Sequence, residues 1–195
     1  MNKLKLVVLH CCCAPCSCAV IEQVRQAAVE PHLFFYNPNI HPREEYERRK
    51  AELVRYATKV GVAFTDGDYD VDRWLELVKG HELDPERGLR CSLCFEMRLQ
   101  KAAEFAMANG FQTFATTLSI SRWKDFEQVC GEGRAVAAQF PSLTYWDCNW
   151  RGQNGVQRMQ EISTQEQFYR QKYCGCVFSL NSSKPADGWR QQTEP

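Results

Sequence analysis

Three cysteine-rich segments carry the residues best suited to chemistry: His10-Cys11-Cys12-Cys13-Ala14-Pro15-Cys16-Ser17-Cys18, Cys91-Ser92-Leu93-Cys94 and Cys174-Gly175-Cys176. Packing does not call for such clusters, because one buried cysteine already serves as a small apolar residue. Cys11, Cys18, Cys130 and Cys148 lie outside the tightest spacings or stand alone, and read as small buried side chains. Seven thiols remain: Cys12, Cys13, Cys16, Cys91, Cys94, Cys174 and Cys176. A structural zinc or a four-iron cluster takes four ligands, so a purely structural metal under-explains the set. An open three-thiolate position suits a reactive metal, and a spare dithiol suits two-electron redox chemistry.

The spacings add detail. Cys91-x-x-Cys94 leads into a predicted helix whose N-terminal amides favour thiolate, and it is both a chelating and a thioredoxin-type spacing. Cys174-Gly175-Cys176 is too short for an unstrained disulfide, and a strained one is readily reduced; the same pair is also placed to share or bridge metals. Adjacent Cys12 and Cys13 are awkward on one tetrahedral ion but workable on different irons of a cluster.

These segments need a scaffold, and the hydrophobic pattern supplies one. An apolar strand over 3–9 delivers the first cysteines, and a helix that opens at Ser17 or in the loop before it runs to about Val29, ended by Pro31. A strand over 33–36 enters the rigid loop Asn37-Pro38-Asn39-Ile40-His41-Pro42. Then come a helix over 44–60 stopped at Gly61, a strand over 62–64 and a helix over 71–79. A helix over 95–108 is closed by Asn109-Gly110. A central strand over 113–118, a helix over 125–139, a strand over 143–146 and a helical or irregular stretch over 157–169 follow. Alternating strands and helices, with strands apolar on both faces, predict a single α/β domain over 1–180 with a parallel sheet flanked by helices. In such sheets ligands gather beyond the carboxyl ends of the strands, where the first cysteines fall. Residues 181–195 are polar, contain Pro185 and Gly188, and read as a flexible tail.

Composition narrows the setting. The 195 residues hold 24 Lys+Arg and 24 Asp+Glu, so binding to a polyanion has to come from a local patch rather than a global field. The start of the chain lacks the apolar core of a secretory signal, and no run approaches the ~18 apolar residues of a membrane span. The expectation is a cytoplasmic protein, a setting in which clustered cysteines serve metal or redox chemistry.

Five ordered blocks then carry a resemblance: His10–Cys16, Tyr36-Asn37-Pro38-Asn39-Ile40, Arg90–Cys94, Thr116-Thr117-Leu118, and the stretch from Tyr169 to Ser179 around Cys174-Gly175-Cys176. From about Val7 to Leu180 the chain resembles the QueH family, the cobalamin-independent epoxyqueuosine reductases. The resemblance implies an adenine-nucleotide-alpha-hydrolase-like (Rossmann-like) fold, a [4Fe-4S] cluster and an adjacent mononuclear iron or redox dithiol. It implies the last step of queuosine synthesis, two-electron deoxygenation of an epoxide on the wobble base of tRNA, fed by an external low-potential electron donor. On this basis Cys12, Cys13, Cys91 and Cys94 are assigned to the cluster, and Cys16, Cys174 and Cys176 to the adjacent redox centre. A rival division gives one cysteine of each outer pair to each metal. A metal with an open position would also act as Lewis acid on the epoxide oxygen. Cysteines stand where ATP-using relatives of the fold keep a phosphate loop, which argues against ATP chemistry.

Substrate contacts are sought near these blocks. Tyr36, His41 and Tyr173 are candidate proton donors, and Asn37, Thr116, Thr117 and Arg170 candidate contacts to the base or its backbone. His10 reads as a hydrogen-bonded strand-end residue rather than a ligand. Arg43, Arg48, Arg49, Lys50 and Arg55, with Arg122, Trp123, Lys124, Arg151 and Lys172, mix charge and aromatics as a splayed anticodon loop requires. Glutamates 44, 45, 47 and 52 interleave the first group, as on a solvated helix face. The rival outside enzymology is a zinc-stabilised RNA-binding module, and the rival within it an ATP-dependent sulfur-inserting enzyme of the same fold.

Overall fold

In a computed structural model residues 5–180 are described; the segment read as a tail lies outside them. Five parallel strands form one sheet: β1 (Lys5–His10), β2 (Val29–Phe35), β3 (Ala63–Asp66), β4 (Thr113–Thr116) and β5 (Thr144–Tyr145), in the order β3-β2-β1-β4-β5. The helices are α1 (Ala14–Gln26), α2 (Arg43–Val60), α3 (Val71–Leu77), α4 (Leu89–Ala108), α5 (Phe126–Ala138), α6 (Gly155–Gln165) and α7 (Val177–Leu180), with a 3-10 turn at Thr117–Ile120.

Both faces of the inner strands are apolar because both are covered. Val7 and Leu9 of β1 and Leu33 and Phe35 of β2 join one core with residues of α1, α2 and α6. Val8, Phe34 and Phe114 point into the other core with residues of α3, α4 and α5. The chain runs outward from β1 to β2 and β3, then returns to place β4 on the other side of β1. The reversal between β1 and β4 is where such sheets open a crevice. No helix among the described residues is long and apolar enough to cross a membrane.

Several boundaries differ from the sequence reading. Helix α1 opens at Ala14, in the stretch before Ser17, and tolerates Pro15 in its first turn, where a missing N–H is harmless. Pro31 does not end a helix; it lies within β2 opposite Val7, beyond the part of β2 that pairs with β3. Helix α4 starts at Leu89, so Cys91 and Cys94 belong to its first two turns instead of preceding it. The strand read over 113–118 stops at Thr116, where the 3-10 turn begins.

Candidate metal and redox site

The carboxyl ends of β1, β2 and β4 are tied together by His10. Its Nδ1 lies 2.9 Å from Thr116 Oγ1 and its Nε2 3.1 Å from the Tyr36 carbonyl oxygen. Burial and the nearby Arg98 guanidinium lower its pKa to about 3, so the ring is neutral. Both nitrogens are occupied, leaving neither for a metal.

From this anchored point the chain turns into α1 through the first thiols. The Cys12 and Cys13 sulfurs are 3.6 Å apart, and the sulfurs of Cys12, Cys13 and Cys16 all lie within 4.8 Å of one another. Hydrogen bonds from Cys13 and Cys16, with help from Lys124 and Arg98, hold Cys12 well below the ordinary thiol value. The hydrogen bond to Cys12 pushes Cys13 up to about 12, and Cys16 is raised for the same reason. The three sulfurs thus favour a thiolate at Cys12, at the N-terminus of a helix whose amides add to that preference. Cys91, at the start of α4, packs against the same buried group through Phe95, Leu118 and Val129.

Cys91 and Cys94 also line a cleft with Cys174 and Cys176. The third cysteine segment is brought there by α2 and the loop after β2. Arg49, 2 % exposed and paired with Glu45 at 2.7 Å, donates to the carbonyl oxygens of Tyr173 and Cys174. The His41 amide donates to the Gly175 carbonyl at 2.8 Å. Gly175 has φ +105°, and a Cβ there would lie 2.8 Å from Ile40 Cγ1, so only glycine lets the segment lie this close. A hydrogen bond from Cys176 and the Lys124 ammonium lower the Cys174 thiol, with Ser179 Oγ 3.3 Å away; Cys176 is raised in turn. Burial raises Cys91 to about 11. All eleven cysteines are free thiols.

The cations of the site lack the partners they would need if the thiols were all neutral. Arg98, 2 % exposed, reaches Cys94 Sγ at 3.9 Å and Asn37 Oδ1 at 2.6 Å, and among the described residues has no carboxylate. Lys124 faces Cys174, Cys12 and Cys16, again with no carboxylate in hydrogen-bonding reach. The loop presenting it is clamped from both sides: Arg87 donates to the Arg122 and Trp123 carbonyls, Arg151 to those of Ser121 and Lys124. A buried unpaired cation is costly, and anionic sulfur offsets that cost. An all-sulfur donor set beside buried Arg98 and half-buried Lys124 fits a thiolate-held metal centre.

The other candidate residues fall mostly outside the cleft. Tyr36 is wholly buried and its hydroxyl donates to Asp70 at 2.9 Å. Asn37 links Arg98 to the Cys11 carbonyl. His41 packs on Trp74, Thr116 bonds His10 and the Leu118 amide, and Thr117 is buried beneath them. The Tyr173 hydroxyl donates to the His41 carbonyl, and Arg170 is exposed. Of the basic candidates, Arg49, Lys50 and Arg55 are committed to ion pairs within the protein, Arg43 and Arg48 lie over Tyr69 and Tyr169, and Arg122 and Lys172 are exposed. The structure groups Cys16 with Cys12 and Cys13. Asn39 and Arg90, from the blocks that carry the resemblance, line the cleft together with Trp74 and Arg98, which no sequence block contains. Arg98 had a sequence signal, since it follows Cys94 by one helical turn.

The chain is similar to known proteins over most of its length. The family described as "Epoxyqueuosine reductase QueH" matches residues 7–182. Proteins of that name from Haemophilus influenzae, Acinetobacter baylyi and Thermotoga maritima are 50 %, 48 % and 33 % identical to this chain. The matches cover 98 %, 96 % and 89 % of this chain and 76 %, 88 % and 90 % of those proteins. The chain thus belongs to the QueH family of epoxyqueuosine reductases.

Proposed function

We propose that the thiol-lined cleft is where a tRNA wobble base carrying an epoxide is reduced to the alkene, in a single domain spanning residues 1–180 of a cytoplasmic protein. The observation that carries this reading is the meeting of three remote sulfur-rich segments beside Lys124 and Arg98. In the reaction both C–O bonds of the epoxide break, a C=C bond forms, and two electrons and two protons release the oxygen as water. An external low-potential donor supplies the electrons.

Cys12, Cys13, Cys91 and Cys94 would hold a [4Fe-4S] cluster; the packing of Cys91 against the buried group that contains Cys12 and Cys13 supports that set. Cys174 and Cys176, with Cys16, make the adjacent centre, a redox dithiol or the ligands of a single iron. Bound there, the iron supplies one-electron transfers and a Lewis-acidic position. The chain's own part is to exclude water with Phe95 and Trp74, to hold positive charge at the sulfurs with Lys124 and Arg98, and to keep a proton on Cys176 beside a Cys174 thiolate. As a thiol–thiolate pair, Cys174 and Cys176 would deliver two electrons and one proton on closing to a disulfide, and solvent would supply the second proton.

The test is anaerobic incubation with epoxyqueuosine-containing tRNA and a low-potential reductant, followed by nucleoside mass spectrometry. Queuosine is the expected product. A colourless zinc protein that leaves the epoxide intact would refute the reading in favour of a zinc-stabilised RNA-binding module. For the ligand assignment, iron and sulfide are counted in reconstituted Cys91→Ala protein; a full four-iron complement would overturn it.

A further inference from the structure

Three walls of the cleft carry polar groups that the protein itself leaves unanswered. Oδ1 of Asn39, a residue 3 % exposed, accepts no hydrogen bond; the indole Nε1 of wholly buried Trp74 and the Nε of Arg98 find no acceptor. All three residues line the cleft beside Cys174 and Cys176. Native interiors leave few such groups, because each costs about 1–3 kcal/mol. Here three come together from the loop after β2, from α3 and from α4.

Trp74 and Arg98 are held where they are. The Trp74 ring is packed between His41, at 5.3 Å, and Phe178, at 5.9 Å between centroids. Arg98 is fixed by Asn37, and the Ile40 carbonyl next to Asn39 accepts from the Tyr69 hydroxyl at 2.5 Å. A sulfur-bound metal would not answer the whole set: sulfur accepts from N–H groups, whereas an amide oxygen needs a donor. The complement is an organic group offering both O–H or N–H donors and oxygen acceptors.

We infer that Asn39, Trp74 and Arg98 form a hydrogen-bonding subsite that reads the polar face of the epoxide-bearing base substituent and sets the preference for it. Asn39 Oδ1 accepts from the substituent, while Trp74 Nε1 and Arg98 Nε donate to its oxygens. The inference rests on the reading that this cleft receives the base. A site built to bond a substrate's polar groups rejects analogues lacking them, since its own groups are then left unpaired.

Trp74→Phe removes the N–H and keeps the ring stacked; Asn39→Ala removes the acceptor. Each is compared with wild type for binding to epoxyqueuosine-containing tRNA and to the same tRNA with unmodified guanine. The preference for the modified tRNA should fall about fivefold in each variant, the value of one hydrogen bond. Affinity for unmodified tRNA should stay the same. Both variants should stay folded at the assay temperature, with melting temperature lowered only by the packing the smaller side chains give up, because neither removed polar group bonds to the protein. A wild-type protein without preference for the modified tRNA would sink the reading of the cleft. A wild-type preference that persists undiminished in both variants, or is lost only together with folding stability, would sink the subsite alone.

Discussion

Arg98 sits one helical turn beyond Cys94, its Nη1 3.9 Å from that sulfur and its Nη2 2.6 Å from Asn37 Oδ1. The guanidinium is thus aimed at the thiol by a residue that never touches sulfur, while Asn37 Nδ2 donates to the Cys11 carbonyl at 2.9 Å. Asn37→Ala leaves a buried charged donor and a buried carbonyl without partners. The expected cost is about 2–3 kcal/mol. It should appear as a lower urea midpoint with an unchanged slope.

Lys124 brings a second positive charge to the same sulfurs without a carboxylate of its own. Reduction adds negative charge to a bound centre, and a nearby ammonium favours the reduced form. In anaerobically reconstituted protein, Lys124→Met should move the midpoint potential in the negative direction by an amount on the order of tens of millivolts. Lys124→Arg should stay close to wild type. Potentiometric titration followed by electron paramagnetic resonance reads the shift, and an unmoved midpoint in Lys124→Met contradicts the assignment.

The cysteines were legible in the sequence because clustered thiols have no packing purpose, so their spacing speaks for itself. The sheet was legible because Val7, Val8 and Leu9 leave no face for solvent. Helix starts were less so. Gly88 caps α4 with its backbone alone, and Leu89 is 54 % exposed, so no apolar period marks the true beginning. Trp74 and Arg98 sit on elements whose local pattern is ordinary, and the block around Asn39 does not mark its side chain as part of a cleft. Their convergence is a product of tertiary packing, which one-dimensional spacing does not encode. The partner of the Tyr36 hydroxyl was hidden for a related reason: Asp70 lies 34 residues away.

Gly175 holds the third cysteine segment against the loop after β2. Alanine there would have to keep φ at +105° with its Cβ 2.8 Å from Ile40 Cγ1 and 3.2 Å from Arg49 Nη1. The strain costs about 1–3 kcal/mol, and the segment should relieve it by lifting away. The His41 amide, bonded to the Gly175 carbonyl, should then exchange with solvent faster. Reductase activity should fall more than global stability does, because Cys174 and Cys176 flank the strained residue. Unchanged exchange at His41 would mean that the segment is not held by this contact.

His32 provides a pH signature in the fold itself, away from the thiols. Its Nε2 lies 2.8 Å from Thr65 Oγ1, and the ring is packed near Phe105 and Phe111 at 5.4 and 5.5 Å. Burial lowers its pKa below the ordinary histidine value of about 6.5. On acidification the unfolded chain therefore takes up a proton at this position before the folded one does, and each increment of uptake favours unfolding. The contribution of neutral His32 is intact above about pH 6.5 and is lost as the pH falls toward its folded value. Urea unfolding at pH 7 and at pH 5 should give a smaller difference in His32→Gln than in wild type, because glutamine keeps a polar group near Thr65 but does not titrate. The effect is limited by the partial exposure of the ring. An equal difference in the two proteins would assign the acid sensitivity to other groups.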